Sequence, residues 1–120
     1  MKIAIVLLAW LVTSPVWAAS CLISEYRFMG EDGSNRVVPV AIEPAVTVQA
    51  VTYTSATSSS VFNSQTKFVR IICDAKAHFA FSVAGATDAT ASMPYLPANT
   101  PEYFGLGITG LAVSFYDGST

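Results

Sequence analysis

The stretch KFVRIICD, residues 67–74, has the alternation that decides the fold class. Successive side chains of an extended strand point to opposite faces, so a strand with a buried face repeats apolar residues at every second position. Two sets alternate here: Phe68, Arg70 and Ile72 on one face, and Val69, Ile71 and Cys73 on the other. β-Branched and aromatic residues also favour extended structure. The stretch therefore predicts a β-strand.

Short segments of the same kind flank this strand in both directions. They are residues 22–28, 36–42, 45–53, 78–83, 93–96, 102–104 and 111–116. A turn at residues 75–77 makes residues 78–83 the expected hairpin partner of the first strand. No window has sustained helical periodicity. Several short strands with turn signals between them predict an all-β domain, either a small antiparallel β-sandwich or a jelly-roll-like barrel.

Two features modify the strand pattern. Pro39 removes a backbone donor from its strand, which places that strand at a sheet edge or at a bulge. Residues 54–60 contain only Thr, Ser and Ala, so they have little to bury and are expected to form a mobile loop. Residues 85–92 form a second loop rich in Ala and Thr.

Residues 1–20 have the pattern of a secretory signal peptide. Lys2 supplies a positive start, residues 3–12 are continuously apolar, and Val16-Trp17-Ala18 supplies the residues that a signal peptidase reads. The run is shorter than the roughly 20 apolar residues that cross a bilayer. The prediction is a signal-like helix over 1–20, no stable membrane span once it is removed, and an all-β domain over 21–120. A buried core helix is the alternative.

The chain has two cysteines, Cys21 and Cys73. In an oxidising compartment they can close a long loop as a disulfide. Small residues at 18–20 also allow Cys21 to be a lipid-modified N-terminus, although the usual leucine is missing. Two unpaired thiols, with Cys73 in the core, are the third possibility.

The charge content is low, because only 12% of the residues are charged and the net charge is −2. Typical soluble domains contain about 25% charged residues. A nucleic-acid partner is not expected, because phosphate binding requires clustered Lys and Arg. A surface of Ser, Thr, Asn and Gln instead favours assembly or extracellular exposure.

Five segments in order resemble a known group of sequences. They are VFNSQTKFVRIICD at 61–74, HFAFS at 78–82, ATDATA at 86–91, LPANTPEYFG at 96–105, and a final Val-containing strand. Over residues 45–115 the chain resembles a family of small, mostly uncharacterised proteins encoded in tailed-phage and prophage genomes. The resemblance implies an all-β, virion-associated structural role and supplies no catalytic residue. The chain differs from that family in its leader, since such proteins are not usually exported.

Candidate chemistry is sparse. His78 is the only histidine, so a Ser-His-Asp or Cys-His arrangement must use it, and Cys73 is expected across the hairpin from it. No nucleophile elbow or oxyanion loop accompanies these residues. The cysteine and histidine spacing does not fit zinc, and no twelve-residue calcium loop is present. We expect no catalytic, metal or cofactor site.

Tyr95, Glu102 and Tyr103 are the candidate binding surface, because exposed aromatic rings stack on sugars and on partner side chains. The alternative is that the aromatic residues belong to the core or its rim.

The expected function is that of a non-enzymatic structural protein that assembles with copies of itself or with other virion or surface proteins. The alternative is an exported binding module of the periplasm or cell surface, with carbohydrate as a candidate ligand. A hydrolase using His78 is the third class. The expected location is the virion, or the periplasm or extracellular space if the leader is a true signal peptide.

Overall fold

The computed structural model describes residues 18–31, 34 and 36–117. Over these residues the chain contains ten β-strands and no helix, which confirms the all-β prediction. Consequently, no described segment is a helix long and apolar enough to cross a membrane. The predicted signal-like helix lies outside the described residues, apart from its last three positions.

The strands follow one another closely along the chain. Their bounds are β1 Ala19–Tyr26, β2 Met29–Glu31, β3 Val37–Ala41, β4 Thr47–Tyr53, β5 Thr57–Ser58, β6 Phe68–Cys73, β7 Ala77–Val83, β8 Tyr95–Leu96, β9 Glu102–Gly105 and β10 Leu111–Asp117. β1 begins at Ala19, two residues before the predicted start of the domain. Residues 19 and 20 are therefore part of this strand.

Two antiparallel four-stranded sheets form the body of the molecule. The first sheet has the order β4-β1-β6-β9, and the second has the order β5-β10-β7-β8. In the first sheet, β1 is central and pairs Cys21 with both Val51 of β4 and Cys73 of β6. In the second sheet, β10 pairs along its full length with β7, from Leu111 opposite Val83 to Asp117 opposite Ala77.

β2 and β3, which lie between β1 and β4 in the sequence, form a separate two-stranded sheet. Its pairing begins with Met29 opposite Ala41, and the register shifts before Glu31 opposite Val37. This irregularity spans Pro39, where a residue without a backbone N–H cannot continue a regular ladder. The chain then passes a cis Glu43–Pro44 bond and enters β4.

The core lies between the facing sides of the two sheets. Its aromatic contacts cross from one sheet to the other: Phe79 is 5.1 Å from Phe104, Phe81 is 5.2 Å from Phe104, and Tyr53 is 5.8 Å from Phe115, measured between ring centroids. The fully buried members include Ile23, Val69, Ile71, Val113 and Phe115. Burial of these side chains is the main favourable contribution to folding, at about 25 cal/mol per Å² of apolar surface.

The predicted hairpin of β6 and β7 is wrong. β6 pairs with β1 and β9, while β7 pairs with β10 and β8, so the chain crosses from the first sheet to the second at residues 74–76. Both edges of β6 are occupied by strands distant in sequence. Consequently Cys73 and His78 are not cross-strand neighbours, and the expected Cys-His arrangement does not form.

The predicted mobile loop at 54–60 is also wrong in part. Thr57 and Ser58 form β5 on the edge of β10. The next residue continues the attachment, because Ser59 N–H donates to the Val113 carbonyl (2.8 Å) and Val113 N–H donates to Ser59 Oγ (3.0 Å). Backbone hydrogen bonds hold this segment, so it needs no apolar side chain.

Candidate interaction surface

The outer face of the first sheet has the features of an interaction surface. It comprises the side chains that point away from the core: Ser20, Leu22, Ser24 and Tyr26 of β1, Val48, Ala50 and Thr52 of β4, Phe68, Arg70 and Ile72 of β6, and Tyr103 of β9. Leu22 is 42% exposed, Val48 55% and Tyr103 52%. Antiparallel strands with one solvated face usually alternate apolar with polar residues. β1 and β6 depart from this rule, because both of their faces carry large apolar residues.

A shallow depression of about 290 Å³ lies on this face, near the start of β1. Leu22, Ala50 and Ile72 contribute apolar surface, while Asp74 and Asn99 lie at its rim. Asp74 Oδ1 accepts the Ser20 N–H at 2.8 Å, and Asn99 N–H donates to the Cys73 carbonyl at 2.7 Å. The depression is thus a mainly apolar concavity with one carboxylate fixed beside it.

The opposite end of the same face is aromatic. Tyr26 stacks on Phe68 with ring centroids 5.3 Å apart, and Phe68 contacts Tyr103 at 6.4 Å. The Tyr26 hydroxyl donates to Glu43 Oε1 at 2.7 Å. This hydrogen bond to a carboxylate, together with burial, raises the pKa of Tyr26. The hydrogen bond fixes the aromatic end in one arrangement.

Glu25 lies on the inner side of β1 and is only 1% exposed. Its Oε1 accepts the Asn63 N–H at 2.8 Å and the Thr66 hydroxyl at 2.9 Å, while Gln49 Nε2 lies 3.5 Å from Oε2. A buried carboxylate is stable only when donors surround it in this way. Glu25 therefore anchors the segment before β6 to the first strand.

The sequence contained a signal for Glu25 that went unused. Glu25 follows Cys21 and Ile23 at a spacing of two residues, which places all three side chains on the buried face of β1. A small depression of about 240 Å³ opens beside this carboxylate and includes Gln49 and Ser60. Polar groups that line it are hydrogen-bonded to each other, since Ser60 N–H donates to Gln49 Oε1 at 3.0 Å.

The predicted surface of Tyr95, Glu102 and Tyr103 does not form as one patch. Tyr95 pairs with His78 on the outer face of the second sheet, whereas Tyr103 lies on the outer face of the first. The chain crosses between the sheets after β8, which separates the two rings. Glu102, on β9, is exposed. Lys76 Nζ already lies 4.2 Å from the centre of the Tyr95 ring as a cation–π contact.

His78 is buried in an aromatic setting on the second sheet. Its Nδ1 lies 2.7 Å from the Met93 carbonyl oxygen, so Nδ1 carries a proton and donates it. Tyr95 and Tyr116 pack against the ring at 5.9 and 6.3 Å. These contacts tie β7 to the end of the long loop that precedes β8.

Cys21 and Cys73 are joined, with their sulfur atoms 2.03 Å apart. Asp74 N–H donates to the Ser20 carbonyl, so residues 20 and 74 form a hydrogen-bonded pair. The adjacent pair of residues 21 and 73 is then a non-hydrogen-bonded pair, the position at which the strands approach most closely. This bond occupies the sulfur atom that a lipid thioether at Cys21 would require.

Within the described part of the chain, no cluster of three or more His, Cys, Asp or Glu side chains is arranged to hold a metal ion. No protein-family model, curated protein or solved structure matches this chain.

Proposed function

We propose that this chain is a non-enzymatic structural domain, a small β-sandwich that assembles with copies of itself or with other subunits of a larger particle. The observation that carries the proposal is the outer face of the first sheet. β1 and β6 carry large apolar side chains on this face as well as on the inner one, and Leu22 remains 42% exposed, whereas Tyr26 and Phe68 are already covered within the chain. A subunit that docks on this face would supply the missing cover.

The electrostatic character of the chain supports the same role. The outer face carries one cation, Arg70, and Asp74 lies at its rim. Few charges oppose contact between subunits, and the net charge of −2 gives little repulsion between copies. Exposed apolar patches rimmed by polar residues mark interaction sites on soluble proteins.

The resemblance to phage and prophage proteins points to a virion as the particle. The resembling residues 45–115 cover β4 to β10 except for the last two residues of β10, so the resemblance includes three strands of the first sheet and all of the second. It excludes β1, which contributes Leu22 to the outer face. The proposed location is therefore the virion or, if the leader acts as a signal peptide, the periplasm or extracellular space.

The test is the oligomeric state of the full chain, purified as its host produces it, by size-exclusion chromatography with light scattering. We expect the wild type to exceed the monomer mass and Leu22→Lys to form smaller assemblies than the wild type, because the lysine charge would have to be buried in a contact on the outer face. Ile108→Lys is the matched control, since Ile108 is 59% exposed and lies in the connection between β9 and β10, outside both sheets. A wild type that stays monomeric at every concentration would contradict the proposal.

The second candidate is an exported binding module, and the bond between Cys21 and Cys73 favours it because disulfides persist in oxidising compartments. With Tyr95 and Tyr103 on opposite faces, a carbohydrate site would have to use one ring alone. Tyr103, beside Phe68, is the stronger choice. A glycan array decides this point: binding that Tyr103→Ala abolishes supports the module, whereas no binding at all removes it.

A further inference from the structure

Strand β4 is the one long edge among the described strands of the two sheets. It has seven residues, whereas the other edge strands β5, β8 and β9 have two, two and four. Edge strands are usually protected by shortness, charge, proline or a bulge. β4 has the sequence TVQAVTY, which contains no charged residue, proline or glycine, and its pairing with β1 is regular throughout.

The register shows which backbone groups of β4 are free. Each residue of an antiparallel strand directs its N–H and C=O to one side, and the next residue directs them to the other. Asp74 N–H donates to the Ser20 carbonyl, so the even-numbered residues of β1 face β6 and the odd-numbered ones face β4. The partners of those odd residues are Gln49, Val51 and Tyr53.

The groups that point away from the sheet therefore belong to Val48, Ala50 and Thr52. Their side chains lie on the outer face, and all three residues are exposed. No hydrogen bond links these backbone groups to another described segment beyond the sheet. Three donors and three acceptors are thus available in a regular row.

We propose that β4 pairs antiparallel with β4 of a second copy, with the two-fold axis at Ala50. In this register Ala50 lies opposite Ala50 of the partner subunit, and Val48 lies opposite Thr52 of the partner subunit. The three N–H groups of each copy then meet the three carbonyls of the other. A shift by one residue would place these groups opposite Gln49, Val51 and Tyr53 of the partner subunit, whose backbone groups point to β1, and a shift by two would leave groups unpaired.

The side chains are compatible with this two-fold arrangement. Alanine at the axis leaves room for a close approach, and the neighbouring pairs of Val and Thr are β-branched residues that pack well across strands. No charged group of β4 opposes its own copy. The same surface patch serves both subunits, as a closed two-fold dimer requires.

This inference rests on the proposed assembly role and names the partner within it. The dimer joins two four-stranded sheets into one eight-stranded sheet. It also places the two outer faces side by side, so that Val48 and Leu22 of both subunits form one apolar surface. Further copies or a larger particle would bury this combined surface, so Leu22→Lys should leave the β4 dimer and remove only the larger assemblies.

The experiment compares Ala50→Pro, Ala50→Lys and Ala50→Glu in the full chain by light scattering and analytical ultracentrifugation. Proline removes an outward N–H and is tolerated at an edge, so Ala50→Pro should give the monomer mass with an unchanged circular dichroism spectrum. Lysine or glutamate alone should weaken the dimer roughly fivefold, because like charges would lie opposite each other. An equal mixture of the two should regain at least the wild-type affinity.

The controls separate two kinds of failure. Ile108→Lys should keep the wild-type mass. If the wild type assembles and all three Ala50 variants assemble equally well, β4 pairing is wrong and the assembly role remains. If Leu22→Lys dissociates the assembly but Ala50→Pro does not, the contact uses the outer face without the edge, and the inference is again wrong. A wild type that is always monomeric overturns the inference and the proposed function together.

Discussion

At the scale of single residues, Glu25 links two distant parts of the chain. Its carboxylate receives donors from Asn63 and Thr66, both in the segment that leads into β6. Glu25→Gln replaces one oxygen by an NH₂ group, which places a donor among donors. We expect a loss of about 1–3 kcal/mol of unfolding free energy, because a buried donor is left unpaired.

Urea denaturation of the two proteins measures this difference. Glu102→Gln is the matched control, since Glu102 is an exposed acid on β9 and its substitution should change stability little. Equal unfolding midpoints for Glu25→Gln and wild type would show that the carboxylate is dispensable.

Tyr53 is 1% exposed, and its hydroxyl has no hydrogen-bond partner among the residues that the structure describes. Burial, with smaller contributions from the nearby charges of Asp74 and Asp117, raises the pKa of Tyr53 to about 12. The folded state therefore holds this proton at pH values where the unfolded chain, with a pKa near 10.0, has begun to lose it. The contribution of the protonated Tyr53 hydroxyl to the unfolding free energy is therefore fully present below pH 10 and is lost as the pH rises to about 12.

Tyr53→Phe provides the test. Between those pH values the wild type should lose up to about 2 kcal/mol more than the variant, because phenylalanine has no proton to release. Denaturant unfolding at several alkaline pH values measures the slope. At neutral pH the substitution should be nearly neutral, since it removes an unpaired buried group. Parallel pH profiles would contradict the assignment.

At the scale of elements, the disulfide joins β1 to β6 across a separation of 52 residues. Closing a loop of that length in the unfolded chain is worth about 4 kcal/mol in the chain-entropy description. The double variant Cys21→Ala, Cys73→Ala should therefore unfold at a clearly lower temperature than the wild type, and a reductant should lower the wild type in the same way. The double variant itself should not respond to the reductant. A wild type whose unfolding temperature is unaffected by reductant would contradict this prediction.

The elements also show what local sequence can and cannot indicate. The alternation of apolar residues in the segments near β1, β4, β6, β7 and β10 predicts strands, and strands are found there. It does not reveal partners, because pairing is a long-range choice. β6 pairs with β1, more than 40 residues earlier, and β9, about 30 residues later, while its neighbour in sequence joins the other sheet. β5 escaped prediction because its hydrogen bonds use the backbone of a segment that has only small side chains.

The candidate surface was predictable in part for the same reason. Alternation predicts that Ile72 and Tyr103 lie on the outer face, because each is next to a residue, Ile71 or Phe104, that packs in the core. Combining Tyr95 with Tyr103 required knowledge of the sheet crossing after β8, which no periodicity contains. The burial of Glu25 could have been predicted, because its spacing from Cys21 and Ile23 places it on the same, core-facing side of the strand.

At the scale of the whole molecule, the export proposal predicts where the mature chain begins. Cleavage after Ala18 would leave β1, which starts at Ala19, intact. We expect the intact mass of the protein recovered from an oxidising compartment to correspond to a chain that begins at Ala19 and lacks two hydrogen atoms through the disulfide. Reduction should restore those two hydrogens. A chain that retains residues 1–18, or that carries a lipid on Cys21, would contradict the export proposal in this form.

The central position of β1 in its sheet determines when the newly made chain can fold. β1 is synthesised before every other described strand, yet its two neighbours in the sheet come from residues 47–53 and 68–73. Such pairings give a high contact order, and topologies of this kind fold in milliseconds to seconds. Until residue 73 has emerged, the nascent chain therefore presents a strand whose core-facing side chains are uncovered, so productive folding depends on keeping newly made chains apart up to that point.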